Sequence, residues 1–328
     1  MKTVLFFVRH FTERGTEVAI YDYARYNEEL LHNKSYIVSF TPEKSKEIGF
    51  YTDMLSYDKF KSRFEILEIE DIRRDMPKII AQTKADVFYT LTHGDHDIYE
   101  FSDKSIWQNC KTMKHCVFSF ACPESDYYCG IGNELNIKYN TNYPVIPHIV
   151  DLPDIEGNLR QELGIPENAV VLGRYGGTST FDIPYVFESI VDSLKRDENL
   201  YYLFMNTPVF CDAHPRIIHL GFSTDLEYKT KFIQTCDAML HARAPGETFG
   251  LAVAEFSLKN RPVITCNCGD KEHIMILKDR AVLYNNKAEL DNILVNIREI
   301  IRSRTDWNAY EDYSPEKVMK LFTLLHDT

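Results

Sequence analysis

The stretch His241-Ala-Arg-Ala-Pro-Gly-Glu-Thr-Phe-Gly-Leu-Ala-Val-Ala-Glu255 gathers most of the chemistry that this chain displays. The apolar run Ala238-Met239-Leu240 leads into it, a Pro245-Gly246 turn interrupts it, and a helical pattern with small residues in its first turns follows at once. A strand, a loop and a helix N-terminus are the expected elements. Such a junction offers backbone N–H groups with no partner inside the helix, at the positive end of its dipole, and so suits a phosphate. Glu247 and Glu255 stand eight residues apart, one at the loop–helix junction and the other about two turns into the helix. A phosphate site with two acids beside it fits a nucleotide-sugar, whose phosphates need donors and whose hydroxyls need acceptors.

Around this stretch, the 328 residues are long for one core and comfortable for two domains. The apolar fraction of 44% and charged fraction of 26% are those of an ordinary globular protein. Twenty Tyr and twenty Phe make it aromatic, and such rings fill cores far more often than they line sugar sites. A formal charge of −12 argues against a nucleic-acid partner, which needs a basic surface. The apolar run Val4 to Val8 ends at Arg9-His10, too short for a signal peptide or a membrane span, and reads as a first buried strand. Among the eight cysteines, Cys110, Cys116, Cys122 and Cys129 form no Cys-x-x-Cys pair and Cys266-x-Cys268 has no matching second pair, so zinc is not expected. Reduced thiols in a cytoplasmic protein with no transmembrane segment are the expectation.

Strand and helix alternate along the chain, which predicts an α/β fold with parallel sheets. In the first half, strands are expected at Thr3–Val8, 35–40, 64–69, 86–91 and 116–121, with helices at 17–31, after Thr41-Pro42, and at 72–84; Thr16 is a candidate cap for the first helix. The loops at 92–109 and 123–126 fall at carboxyl ends of strands, where open α/β sheets bind ligands. Segment 130–143 reads as polar and Asn-rich, and the Pro144-to-Val150 run as a hinge. The alternation restarts with a short helix at 158–163 and a strand at 169–172 ending in Gly173-Arg174-Tyr175-Gly176-Gly177. Strands at 200–205, 217–220, 238–242, 262–266 and 281–284 follow, with helices at 181–194, 225–236, 249–259 and 287–302. The expected organisation is a Rossmann-like acceptor-side domain over 1–150, a nucleotide-sugar-binding domain of the same kind over 151–305, and a C-terminal helix over 306–328 packing back toward the first.

Two α/β domains joined in this way would set their strand ends face to face. Here the chain resembles the retaining glycosyltransferases of the GT-B fold, family 4, the group-1 glycosyl transferases. The residues that carry the likeness are the Glu247-x7-Glu255 pair inside Pro245 to Glu255, the preceding strand Cys236 to Leu240, the strand end Gly173-Arg174-Tyr175-Gly176 and the strand Arg261 to Thr265. The likeness is specific over roughly 150–300 and architectural before that.

The resemblance implies that Glu255 accepts from both ribose hydroxyls and that Glu247 sits at the donor sugar's hydroxyls near the reacting carbon. It implies further that the backbone N–H groups of Phe249, Gly250 and Leu251 bind pyrophosphate, while Arg174 offsets charge on the leaving phosphate. Read from the residues alone, a capped surface helix with two solvated acids is the alternative. Where the family carries a Lys some six residues after the Arg, this chain has Thr178, Ser179 and Thr180, whose hydroxyls bring no charge to a loop opened by Gly176 and Gly177. The family's N-terminal Gly-Gly loop is replaced by Gly15-Thr16. For a group facing the reacting carbon the candidates are Ser119, His93 and Asp95, with His10 a further one. Asp95-His96-Asp97 has the Asp-x-Asp pattern that holds Mg²⁺ or Mn²⁺ in the other glycosyltransferase fold, but the nucleotide features here are C-terminal and no metal or other cofactor is expected. His273, after Gly269-Asp270-Lys271-Glu272, is placed to touch the donor sugar or else to begin a helix capped by Asp270.

The implied activity is retaining transfer from a UDP- or GDP-linked sugar to a glycan or other hydroxyl acceptor. A GT-B protein that binds donor without turnover, and a sugar-nucleotide epimerase or hydrolase on the same architecture, stand beside it.

Overall fold

The computed structural model describes residues 1–12, 15–95 and 99–326 and, within the last helix, side chains through Thr323. The chain divides into two units, unit 1 comprising Met1–Ile149 with the residues from Tyr313 onward, and unit 2 comprising Val150–Asp312.

Unit 1 runs β1 (Thr3–Val8), α1 (Gly15–Glu29), β2 (Lys34–Phe40), α2 (Pro42–Glu47), α3 (Met54–Arg63), β3 (Ile66–Ile69), α4 (Ile72–Thr83), β4 (Val87–Thr92), α5 (Lys104–Trp107), β5 (Lys111–Cys116), β6 (Tyr127–Gly130) and α6 (Asn133–Tyr139). Its six strands form one sheet in the order β3-β2-β1-β4-β5-β6. All pairs are parallel, with Val4 opposite Ser35 on one side of β1 and Val87 on the other. Helices cover both faces of such a sheet, so β1 is apolar along its whole length, and Val4 to Val8 are almost without exposed surface. Alternate side chains of β1 enter different layers. Leu5 and Phe7 join a core with Phe88, Tyr99 and Trp107, while Phe6 meets Tyr89 and Phe322. Phe322 also stacks on Tyr23, and this buried aromatic cluster fastens the last helix, α13 (Pro315–His326), to unit 1.

Unit 2 repeats the plan with β7 (Val170–Tyr175), α7 (Pro184–Arg196), β8 (Leu200–Met205), β9 (Ile217–Leu220), α8 (Leu226–Thr235), β10 (Ala238–His241), β11 (Gly246–Glu247), α9 (Leu251–Leu258), β12 (Val263–Cys266), β13 (Asp270–Lys271), α10 (Glu272–Leu277), β14 (Ala281–Tyr284), α11 (Lys287–Val295) and α12 (Ile297–Arg302). Its six-stranded sheet has the order β14-β12-β10-β7-β8-β9, again parallel, and β11 pairs with β13 as a separate two-stranded ribbon. In each sheet the strand order reverses once, between β1 and β4 in unit 1 and between β7 and β10 in unit 2. At such a switch point the two loops diverge and leave a crevice at the carboxyl edge.

Several expected elements move. The strand expected at 116–121 is β5, ending at Cys116, because its inward positions are occupied by Lys114 and His115, both fully buried, and charge disguised the run as surface. The Lys114 ammonium is bonded to the carbonyls of Asp95 and Cys122, which makes its burial tolerable. The polar segment 130–143 holds a helix, α6, whose following chain is tied by Asn136 to Thr141 and Tyr143. Residues 158–163 form turns and not a helix, with Arg160 bonding backbone carbonyls of Pro166 and Ala169. The helix expected over 287–302 breaks at Asn296. Thr16 lies inside α1 and does not precede it, its hydroxyl bonded to Glu17. Asp270 pairs its backbone with Gly246 instead of capping α10.

Candidate functional site

At the switch point of unit 2, β7 ends at Arg174-Tyr175 and β10 ends at His241. Pro245-Gly246 turns the chain after β10 into the β11–β13 ribbon, and the turn is obligatory. Gly246 has φ +70°, and a Cβ there would lie 2.1 Å from the carbonyl oxygen of Asp270. Gly250 then starts α9 from the left-handed region at φ +79°, with no side chain capping the helix. The first turn therefore presents its N–H groups to the same edge as Glu247.

Glu247 is held at both oxygens. Its Oε1 lies 3.2 Å from Nε2 of His241, and its Oε2 accepts from Nη1 of Arg243 at 2.6 Å. Burial works to raise its pKa, but the His241 hydrogen bond and the electrostatic influence of His241, Arg243 and His273 outweigh it, so the carboxyl stays below its ordinary range. Behind His241 the chain of bonds continues inward, from its Nδ1 to Thr265 Oγ1 at 2.8 Å and from Thr265 Oγ1 to Nε2 of His273 at 3.0 Å. His273 is fully buried. Desolvation, with His241's charge second, lowers its pKa to about 3 against the opposing pull of Glu247. Its ring has no exposed surface to offer a sugar, so the contact expected of it is replaced by one to Thr265.

Arg174 is also buried, at 2% exposure. Its Nη1 donates to Thr207 Oγ1 at 2.5 Å and its Nη2 to the Gly177 carbonyl at 2.9 Å and to Thr180 Oγ1. Burial lowers its pKa to about 10, aided by Arg243 and opposed by Glu247 and Asp182, so it is a cation at neutral pH. In the structure it fixes the 176–180 turn, where Thr180 also bonds the Gly177 carbonyl. Glu255, on α9, is buried and ion-paired with Lys229 of α8 at 2.5 Å, and the same ammonium lies over the Tyr175 ring.

In unit 1 the loops after β1 and β4 flank the other switch point. Glu17, buried in the first turn of α1, accepts from Thr12 and Thr16 through Oε2, and Oε1 lies 3.6 Å from Nε2 of His10. His10 stacks on Phe50, which the Arg9 guanidinium also covers. After β4, His93 Nδ1 pairs with Asp95 Oδ2 at 2.8 Å on the exposed surface. Ser119 follows β5, buried, and accepts from Tyr139 at 3.0 Å. The backbone N–H of Ser119 bonds the His93 carbonyl. His96 and Asp97 lie outside the described residues, and no group of three or more metal-ligating side chains occurs among the described ones.

No family model matches the chain, and no curated protein matches it in sequence. Its likenesses are to solved structures. HepE of Anabaena in complex with UDP-glucose is similar at 14% identity and a TM-score of 0.70, over 100% of this chain and 99% of that one. A glycosyltransferase of Rickettsia africae reaches a TM-score of 0.71 at 14% identity, over 99% and 98% of the two chains. A candidate UDP-N-acetylglucosamine 2-epimerase of Listeria monocytogenes is less similar, with a TM-score of 0.59 at 13% identity over 96% and 93%. The fold is GT-B.

Within this GT-B chain, the expected residues gather in two places. Glu247, Phe249, Gly250, Leu251, Arg174, Gly176, Gly177, Thr178 and Thr180 lie on loops and element ends of unit 2, with Glu255 farther along α9 and His273 beneath Glu247. Gly15, Thr16, His93, Asp95 and Ser119 follow strands of unit 1. Not foreseen from the sequence are His241 and Arg243 as partners of Glu247, Thr265 as the partner of His241, Lys229 as partner of Glu255, and Glu17 beside His10. His241 and Arg243 stand inside the His241-to-Glu255 stretch, six and four residues before Glu247, and that proximity is the one signal the sequence offers for them. Lys229 and Thr265 come from other elements and carry none. No described helix is long and apolar enough to cross a membrane.

Proposed function

We propose that the chain is a retaining glycosyltransferase resembling family 4, moving a sugar from a UDP- or GDP-linked donor to a hydroxyl of a glycan or other acceptor, with no metal required. The observation that carries this reading is Glu247, ionised and fixed by His241 and Arg243, beside the uncapped start of α9 at the switch point of unit 2. In this reading the N–H groups of Phe249, Gly250 and Leu251 and the 176–180 turn receive the diphosphate. Glu247 accepts from hydroxyls of the donor sugar. Glu255 accepts from the ribose, the bond from Lys229 occupying only one of the roughly four lone-pair sites of a carboxylate. Arg174 sets the turn and adds positive charge as the leaving phosphate becomes more negative. On unit 1, His10, His93, Asp95 and Ser119 are polar groups that follow strands, and in this reading they are the candidates for contacting the acceptor. Front-face attack, in which the leaving phosphate takes the acceptor's proton, needs little more than this positioning.

A thermal-shift screen of UDP-, GDP- and ADP-sugars, with and without a chelator, identifies the donor, since a ligand of the native state raises its melting temperature. Turnover by Glu247→Ala and Glu255→Ala then tests the site. Unchanged donor hydrolysis and transfer in both would overturn the assignment, and an inverted anomeric product would overturn retention. The resemblance to a candidate epimerase favours a second reading, which predicts donor turnover with no acceptor present.

A further inference from the structure

The contacts behind Glu247 admit a definite ordering of protons. A carboxylate can only accept, so the 3.2 Å contact between Glu247 Oε1 and His241 Nε2 requires a proton on Nε2. In a neutral ring Nδ1 is then bare, and its 2.8 Å contact requires the Thr265 hydroxyl to donate to it. The hydroxyl's other available acceptor, the Cys266 carbonyl, is farther at 3.5 Å. With its one proton committed, Thr265 Oγ1 can only accept from Nε2–H of His273 at 3.0 Å. That leaves Nδ1 of His273 bare; it is buried and makes no bond within hydrogen-bond geometry, and the nearby Glu247 backbone, which favours a proton on this ring, is outweighed by burial. Burial protects the order: Thr265 and His273 have no exposed surface and His241 has 5%. The His241 backbone is pinned as well, its carbonyl accepting from Tyr284 at 2.8 Å.

We propose that Thr265, with His273 behind it, is a positioning residue that locks His241 as the Nε2–H tautomer and thereby keeps Glu247 aimed as an acceptor for donor-sugar hydroxyls. This deepens the transferase reading and rests on it for the kinetic consequence, while the proton order rests on the hydrogen bonds together with uncharged rings at His241 and His273. The opposite order has one proton more. There the hydroxyl points to His273, whose Nδ1 is protonated, and His241 is an imidazolium paired with Glu247.

The two orders separate by long-range ¹H–¹⁵N correlation spectra of the histidine-labelled full chain at pH 7.5, with His241 assigned from a His241→Asn spectrum. The expected result is a neutral His241 with protonated Nε2; an Nδ1–H tautomer or an imidazolium would overturn the proposal. Thr265→Val should release the tautomer and lower donor kcat/KM about tenfold, the loss of one buried hydrogen bond, whereas Thr265→Ser should keep both near wild type. A Val variant unchanged in tautomer and kinetics, or a Ser variant as impaired as Val, would also overturn it. Should Thr265→Val fail to fold, the wild-type and Ser spectra decide. Should no nucleotide-sugar bind the wild type, the transferase reading falls and the spectra still decide the relay.

Discussion

The Lys229 ammonium lies 2.5 Å from Oε1 of Glu255, with side chains only 12% and 4% exposed. Both charges have been removed from water, and their pairing offsets part of that desolvation. Lys229→Met should cost about 3–5 kcal/mol, because it removes this cation from a buried carboxylate. The double variant Lys229→Met/Glu255→Met should cost less than the sum of the two single changes. Urea unfolding of the four proteins in a double-mutant cycle measures the coupling, and strict additivity would show that the pair is not coupled.

Arg174 and the turn it holds give a second prediction. Arg174→Ala removes the bonds to Thr207, Gly177 and Thr180 together with the charge. Donor-dependent kcat should fall about 10²–10³-fold, the range for loss of one transition-state donor. Thr180→Val, which takes away one partner and leaves the cation, should fall about tenfold or less. Steady-state kinetics on the donor found by the thermal screen distinguish the two. Equal losses would mean that the turn matters and the charge does not.

Gly250 is strained for any other residue. With φ at +79°, an alanine there pays a left-handed penalty, and its Cβ would stand 3.2 Å from Cβ and Cγ of Glu247. Gly250→Ala should lower stability by about 1–2 kcal/mol. Its effect on donor affinity should be larger than that stability loss implies, since the new methyl displaces Glu247. Melting temperature and donor titration on the same preparation compare the two.

The acid limb of stability should be steep. Burial, together with the charge of His148, lowers the His115 pKa to about 3, and burial lowers that of His148 to about 4. Both are depressed relative to an unfolded value of about 6.5, so the unfolded chain takes up protons that the folded chain refuses. Their contribution is complete above about pH 6.5 and is lost as pH falls toward 4 and then 3, at up to about 1.4 kcal/mol per pH unit for each ring. Urea midpoints at pH 7.5, 6 and 5 should drop accordingly. His115→Gln should flatten the slope; an unchanged slope would place the acid sensitivity elsewhere.

Much of this architecture is legible without coordinates. Strands such as 200–205, 217–220 and 281–284 are short apolar runs between turn residues, and they occur where expected. The misplacement at β5 has the opposite origin. Lys114 and His115 look like surface residues until the carbonyls that receive Lys114 and the Tyr89 hydroxyl that meets His115 are known. Burial of a polar side chain depends on partners distant in sequence, and local pattern does not record them.

The same division runs through the His241 to Glu255 stretch. By itself the sequence determined a strand, a Pro-Gly turn, a helix opening at glycine and two acids eight residues apart, because those follow from backbone preferences and the residue order. The expected two turns of helix between the acids are not found, since Glu247 is on β11 and Glu255 lies about one turn into α9. Only the tertiary structure decided what each acid meets. Parallel pairing of β10 with β12 sets His241 opposite Thr265, and the packing of α8 brings Lys229 to Glu255. Both contacts join residues more than twenty positions apart. Strand order also brought the end of β7, with Arg174, beside the end of β10. Side-chain partners of this kind are chosen by strand order and helix packing, which are global properties of the chain.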